Sequence, residues 1–422
     1  MYDSLTKILP DSFTSMIFAL EALRGGTVLL NGPTGCKFYH AAVVGGVSMR
    51  SFSYDPLDYP SEFYFGQGQV PCTYLDSHDY VFGSKDKLSR LLEFVKQRSF
   101  DFVAVVNSPG AALIGDDLEA LLRESQPASV MFALDTPGFS QTYGKGHQDA
   151  LIALLEQLPL ARKPERGYVN LLGFTLMDKY AHGNRREMIQ LLKDGGVAVG
   201  STLFDESIDQ ITNLSKAELN IVVSPENGLS LAKYLEKRLG IPYFIPTLGQ
   251  PVGFPACERF FEELAEQIAF DLEPVIRSMN SARRRAYYFL SRYTSLLGMP
   301  KGAAYRLYGN YSLALPLLHF LTRYLGMIPV ELVCSGVPAV THQRQVEEFM
   351  KPFPRNENAE AEICFGDGND VAASVLKKGY RCGIEIAEPS MGYLDVYEKT
   401  LFGPRGALFI LEQVLNGLKF SR

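Results

Sequence analysis

Gly32-Pro33-Thr34-Gly35-Cys36 follows directly on the apolar run 27–30, and this junction decides how the chain is read. A short apolar run entering a Gly/Pro turn is the mark of a buried parallel strand whose carboxyl end carries a loop. Here the loop carries a thiol. A second cysteine has a similar setting downstream, in Val70-Pro71-Cys72-Thr73. Cysteines inside a packed core act mostly as small apolar residues, whereas one on a turn at a strand end is expected to be exposed enough for chemistry.

The same strand, turn and helix recur almost to the last residue. Residues 101–107 (DFVAVVN) read as a buried strand, followed by Pro109-Gly110 and a helical run at 116–124. Residues 129–134 repeat the strand, and Asp135-Thr136-Pro137-Gly138 turns toward a helix at 147–158. A second set follows the charged linker 161–166, with strands at 168–174, 197–200 and 220–224 and helices at 184–193 and 229–239. The third set has strands at 304–307, 329–334, 362–365 and 383–386, with helices at 312–325 and 406–418. A long helical segment at 257–297, rich in Arg and Tyr, joins the second set to the third. The pattern predicts an α/β protein of three Rossmann-like, doubly wound parallel-sheet units, spanning 1–160, 161–275 and 276–422. Ligands of such sheets bind outside the carboxyl ends of the strands, and Cys36, Pro109, Asp135 and Ser224 all fall there.

Composition removes several function classes. The formal charge of −6 and the absence of a basic stripe speak against nucleic acid as the main partner. No window reaches about 18 consecutive apolar residues. Even 313–333 is broken by His319, Arg323 and Pro329. Asp3, Lys7 and Asp11 interrupt the N-terminal apolar residues, so no signal peptide is read and a cytoplasmic location is expected. Six cysteines in 422 residues, with no CxxC, suggest neither a disulfide framework nor a zinc finger. Any metal site must therefore gather cysteines distant in sequence, or from two copies of the chain.

The Gly-x-Gly pairs Gly66-Gln67-Gly68, Gly144-Lys145-Gly146 and Gly366-Asp367-Gly368 lack the third glycine of a dinucleotide fingerprint, and the 32–36 turn lacks the Lys of a P-loop. The order of other motifs does carry a resemblance. Gly32 to Cys36, then Asp79-Tyr80-Val81-Phe82-Gly83-Ser84 with Lys87-Leu88, are followed by Leu113-Ile114-Gly115-Asp116-Asp117-Leu118 and Asp135-Thr136-Pro137-Gly138-Phe139. Leu231-Ala232-Lys233-Tyr234-Leu235, Gly240-Ile241-Pro242 and Phe402-Gly403-Pro404-Arg405-Gly406-Ala407 complete the series. In sequence and spacing this resembles the catalytic-component subunits of nitrogenase and its relatives, the protochlorophyllide and chlorophyllide reductases and the nickel-sirohydrochlorin reductive cyclase.

That resemblance implies an iron–sulfur cluster held between two subunits by cysteines of both. Cys36, with Gly35 before it, matches the best-kept ligand position. The first ligand position falls near Asp11, read either as a ligand or as the N-cap of a helix starting at Ser12. The third falls on Pro109, which cannot ligate. Cys72 falls on no classical ligand position but lies in the loop that approaches the cluster, and is read either as a ligand or as a packed thiol. In a homodimer, Cys36 and Cys72 of each copy supply four thiolates, the number a [4Fe–4S] cluster takes. The family's second cofactor is anchored by a cysteine and a histidine, but the matching positions read Ser224-Pro225-Glu226-Asn227 and Phe402. Dinitrogen reduction on an iron–molybdenum cofactor is therefore not expected, and a tetrapyrrole-like or other small organic substrate is.

Cys257, Cys334, Cys364 and Cys382 read as packed thiols, and His147, His182, His319 and His342 as ordinary helix residues. His40, His78 and Asp135 are candidate proton donors. The Arg283-Arg284-Arg285 run with Tyr287 and Tyr288 reads as a solvated helix face, or, if turned to a cavity, as a carboxylate clamp. The resulting expectation is an iron–sulfur oxidoreductase subunit, in a homodimer or paired with a related subunit. It would be reduced by a separate ATP-hydrolysing protein of the nitrogenase iron protein type. A scaffold that holds or builds a metal cofactor, or a module that only binds a metal chelate, are the rival readings.

Overall fold

The structure is a computed structural model and describes residues 10–44, 63, 70–135, 141–353, 360–377, 379–390 and 395–420. The expected turn after Asp135 and the first Gly-x-Gly pair lie outside the described residues.

In the N-terminal unit α1 (Ser12–Glu21) leads into β1 (Gly26–Asn31), which is followed by α2 (Thr34–Val44), α3 (Ser77–Phe82) and α4 (Lys85–Lys96). Then come β2 (Phe102–Asn107), α5 (Leu118–Ser125), β3 (Val130–Asp135) and α6 (Tyr143–Glu156). The strands pair in the order β1-β2-β3, all parallel and without slippage. Every residue of β2 is buried, as expected of a strand covered on both faces. Because side chains alternate along a strand, Leu29, Val103 and Val105 face Leu88, Leu91, Leu92 and Val95 of α4. Val28, Leu30, Ala104 and Val106 face α1 and α6 on the other side. The i, i+3, i+4, i+7 spacing of the α4 residues is what turns that helix inward.

The second unit holds β4 (Tyr168–Leu172), α7 (Ala181–Asp194), β5 (Ala198–Val199), β6 (Leu219–Val222), α8 (Pro225–Leu239) and β7 (Tyr243–Phe244), in the sheet order β5-β4-β6-β7. Next come α9 (Gly253–Gln267), α10 (Glu273–Leu297), β8 (Ala304–Asn310), α11 (Tyr311–Leu318), β9 (Ile328–Ser335) and α12 (Val340–Met350). The chain ends with β10 (Ile363–Gly366), β11 (Cys382–Glu385) and α13 (Gly403–Phe420), and the third sheet runs β11-β10-β8-β9. The fold is thus α/β with three parallel sheets, as expected.

Two expectations are corrected in detail. The segment at 257–297 is two helices, not one, because α9 stops at Gln267 and Pro274, which suits a first turn, starts α10. Cys257 lies inside α9, fully buried, rather than at its start. The helix expected at 312–325 is α-helical only to Leu318, widens into a π-type stretch over His319–Tyr324, and stops at Gly326, where φ is +72°.

The units are pinned by polar contacts as well as by shared apolar surface. Lys179, fully buried after β4, sits 3.0 Å from Glu385, 3.6 Å from Glu388 and 2.5 Å from Asp395, all of the third unit. Burial, partly offset by Lys179, pushes Glu388 up to about 8, so the cluster keeps a proton that relieves its excess of negative charge.

Helix α6 is wedged between α1 and α8 by two glycines. A Cβ on Gly146 would stand 2.2 Å from the Ser12 carbonyl oxygen and 2.3 Å from Ser15 Oγ, and one on Gly144 2.1 Å from the Glu226 carbonyl oxygen. Gly146→Val should therefore lower stability by at least about 3 kcal/mol in urea unfolding. Gly35→Ala, whose Cβ would meet nothing within 4 Å on a helix, should leave it unchanged or raise it slightly.

Candidate functional site

In-register pairing of parallel strands stacks their last residues, and here these are Asn31, Asn107 and Asp135. The Asn31 amide donates to Asn107 Oδ1 at 2.8 Å, and the Asn107 amide donates to Asp135 Oδ1 at 2.6 Å. Asn31 also donates to Ser84 Oγ at 3.2 Å and accepts from Thr73 Oγ1 at 2.9 Å. Thr73 Oγ1 in turn accepts the Gly32 N–H at 3.1 Å, while Ser84 donates through N–H and hydroxyl to Asp116, 2.6 Å each. One ladder of amides thus fastens the loops that follow β1 and β2, the Cys72 loop and the start of α4.

The two thiols meet at the open end of this ladder. Cys36 lies in the first turn of α2, half-buried, hydrogen-bonded to the Ser108 side chain. Cys72 bridges β1 through Leu30, donates toward the Gly32 carbonyl at 3.4 Å and accepts the Tyr74 N–H at the same distance. It is fully buried, which corrects the expectation of an exposed turn thiol: its loop is folded back along β1 as a short fourth strand would be. Burial pushes the Cys36 thiol up and the Cys72 thiol up to about 12, the Tyr74 N–H working the other way on Cys72. Cys72 feels the charge of Cys36, and Tyr80 that of both thiols, so the three stand close together. Among the described residues no three His, Cys, Asp or Glu side chains enclose a metal ion.

The other sequence candidates separate. Asp11 is the N-cap of α1, accepting the Thr14 N–H at 2.9 Å, and its charge reaches both Cys36 and Tyr39. It therefore faces the thiol site while it caps. His40 is buried, its Nε2 2.7 Å from Glu21 Oε2 and its ring against Phe18. His78 is exposed on α3 and packs on the Phe82 ring. Gly35 is exposed beside Cys36, and Asp135 ends the ladder with its side chain open. Among the described residues the helices of Cys36 and Tyr80 also carry exposed apolar side chains, Phe38 47%, Val81 72% and Phe82 76%, and Leu113, in the turn after β2, is 87% exposed.

A second polar junction lies where the three units meet, and the sequence reading missed it. Glu226, in the first turn of α8 and buried, accepts the Ser312 N–H at 2.9 Å and the Ser312 hydroxyl at 2.7 Å, at the first turn of α11. Two helix N-termini thus hold one carboxylate. Asp178, which accepts the Thr175 N–H at 2.6 Å, lies near Tyr143 and Glu226; burial, then the charge of Glu226, pushes it up to about 7. His147 is buried on α6, stacked on Tyr143, and neither ring nitrogen has a hydrogen-bond partner among the described residues. Burial lowers it to about 4, so its ring is neutral. It is no ordinary helix residue, and its only sequence signal was a histidine beside the α6 glycine pair. Phe402 is packed on Phe174 and offers no ligand here.

The profile of nitrogenase component 1 type oxidoreductases matches residues 13–419. The chain belongs to this family. Curated relatives include the nitrogenase molybdenum-iron protein alpha chain of Methanothermobacter marburgensis, 28% identical over 60% of this chain and 57% of that one. The cofactor biosynthesis protein NifE of Clostridium pasteurianum is 30% identical over 51% of this chain and 44% of its own. One polypeptide of the light-independent protochlorophyllide reductase of Heliobacterium modesticaldum is 25% identical over 79% of this chain and 66% of its own. The chain thus spans about half to two thirds of the length of the curated relatives it matches. A solved structure, nitrogenase Cp1 at pH 6.5, superposes with a TM-score of 0.75 over 97% of this chain and 92% of that one, at 15% identity. It shares the fold.

For this nitrogenase component 1 type chain, the raised Asp178 makes a pH prediction. A carboxyl whose folded pKa exceeds its unfolded value stabilises fully below about 4 and loses that contribution as pH rises through about 7. Asp178→Asn should therefore gain stability relative to wild type between pH 4 and pH 7, by up to about 4 kcal/mol. A difference that does not change with pH would assign the ionisation elsewhere.

Proposed function

We propose that the chain is the catalytic subunit of an iron–sulfur oxidoreductase that accepts low-potential electrons from a separate ATP-dependent reductase of the nitrogenase iron protein type. The carrying observation is that Cys36 and Cys72, 36 positions apart, converge at the carboxyl end of the first sheet beside exposed apolar side chains. Two thiols per chain suit a [4Fe–4S] cluster shared by two copies of the chain. Family membership supports the same reading.

In this scheme Cys36 and Cys72 hold the cluster, with Asp11 facing it, and the cluster when bound supplies one-electron transfer. Ser108 and the Tyr74 N–H give hydrogen bonds to the two sulfurs, which favours their thiolate forms. The apolar side chains Phe38, Val81, Phe82 and Leu113 give the second copy a surface that excludes water. The substrate is a small organic molecule, tetrapyrrole-like or otherwise, bound where the three units meet. There Asp178 holds a proton near neutral pH, while His147 and Tyr143 offer ring and hydroxyl groups. Asp135 and His78 lie at open positions where they could pass protons, whereas the 2.7 Å contact with Glu21 ties His40 to a structural role. Ser224 and Phe402 offer no thiol and no imidazole to an iron–molybdenum cofactor. A cofactor-holding scaffold is the second reading, favoured by the likeness to NifE. Consumption of ATP that depends on added substrate separates the enzyme from the scaffold.

Protein purified without oxygen should hold about two irons and two acid-labile sulfides per chain and give a reduced-cluster EPR signal. Cys36→Ala and Cys72→Ala should each abolish the visible charge-transfer band, and Cys334→Ala should keep it. An unchanged spectrum in Cys36→Ala removes the basis of the proposal.

A further inference from the structure

Helix α10 carries five arginines, Arg277, Arg283, Arg284, Arg285 and Arg292, against the single acid Glu273, in a chain whose formal charge is −6. Composition alone gave no basic stripe; the fold makes one. The helix is anchored by buried Val275, Met279, Ala282 and Ala286 in its first half, and in its second half only the half-buried Leu290 and Tyr293 of the described residues pack on the core. Beyond Ala286 no residue of the helix is buried for three turns. Yet this half is strongly apolar, with Tyr287 70% exposed, Tyr288 61% and Leu296 69%. It ends in an orderly cap, Gly298 at φ +69° donating to the Thr294 carbonyl at 3.0 Å, so it is a finished helix and not a frayed tail.

Arg284, Tyr287, Tyr288, Ser291 and Arg292 recur at i, i+3, i+4, i+7 and i+8, which puts them on one stripe. With Arg283 and Tyr324, the upper part of this stripe lines a groove of about 600 Å³. Arg283 is spent on Glu258, in a paired contact of 3.1 and 2.6 Å, whereas Arg284 and Arg292 have no carboxylate among the described residues. Exposed aromatic side chains between unpaired arginines are the composition of the core of a binding surface.

We propose that this stripe of α10 docks a different protein through an acidic segment whose carboxylates pair with Arg284 and Arg292 while its apolar side chains cover Tyr287 and Tyr288. Charge complementarity chooses this occupant. A second copy related by a two-fold axis would set the same arginines against each other, and like charges across an interface cost affinity. The surface belongs to the helix between the second and third units, not to the thiol rim, so it leaves the proposed cluster interface free.

The test is site-specific photo-cross-linking in cells of the source organism, with p-benzoylphenylalanine at position 288 and, as control, at the exposed position 93 on α4. The expected result is one protein adduct at 288, absent at 93, whose cross-linked peptide has a clear excess of Asp and Glu. The doubly reversed Arg284→Glu, Arg292→Glu chain should weaken that adduct at least fivefold at an unchanged melting temperature. If that chain does not fold, Arg292→Gln should still weaken it. The inference is overturned by no adduct, by an adduct to RNA or to a second copy of this chain, or by an adduct insensitive to the charge change. Iron content of the same variants should match wild type, so failure here and failure of the cluster proposal are told apart.

Discussion

Everything at the thiol end hangs on the register of three parallel strands. Because β1, β2 and β3 pair without a slip, their final residues Asn31, Asn107 and Asp135 stack, and two amides bridge them. A slip of one residue would turn these side chains to the other face and cut the ladder. The ladder then reaches sideways to Thr73 and Ser84, which hold the Cys72 loop and the start of α4. Neither thiol is therefore placed by its own loop alone. Buried amides that satisfy one another in series fix a geometry that a glycine-rich turn could not fix by itself.

The three units share that logic of joining carboxyl ends. Glu226 joins the second unit to the third by accepting from Ser312 at another helix start, and Lys179, next to Asp178 in the chain, joins them again. Such pins bring Asp178, from the turn after β4, beside Tyr143 and His147, which stand one turn apart on α6. The thiol site sits at one edge of the first unit and the polar junction between all three. This is the division of labour the proposed function needs, with electrons entering at a two-fold contact and protons handled where a substrate is enclosed.

How much of this was legible depended on whether the signal was local. The unbroken apolar run at 102–106 writes its own structure. Cys36 and Cys72 were visible because a cysteine beside Gly or Pro at a strand end is unusual on its face. The depth of Cys72 was not visible, since it comes from its loop lying along β1 at Leu30. His40 looked like a proton donor, and only the packing of α1 against α2 gives it Glu21. His147 carried no motif, and Glu226 and Ser312 stand 86 residues apart. Polar partners chosen across a fold leave no periodicity to read, so the junction emerges only with the packing.

The central claim is that two copies of the chain close one cluster with the thiols of both, and native mass spectrometry of protein purified without oxygen tests it most directly. The account predicts a species of two chains carrying the mass of a single four-iron, four-sulfide cluster. It also predicts that removal of the cluster dissociates the pair or weakens it. A cluster carried by a single chain, or a stable pair that never takes up iron, would contradict it.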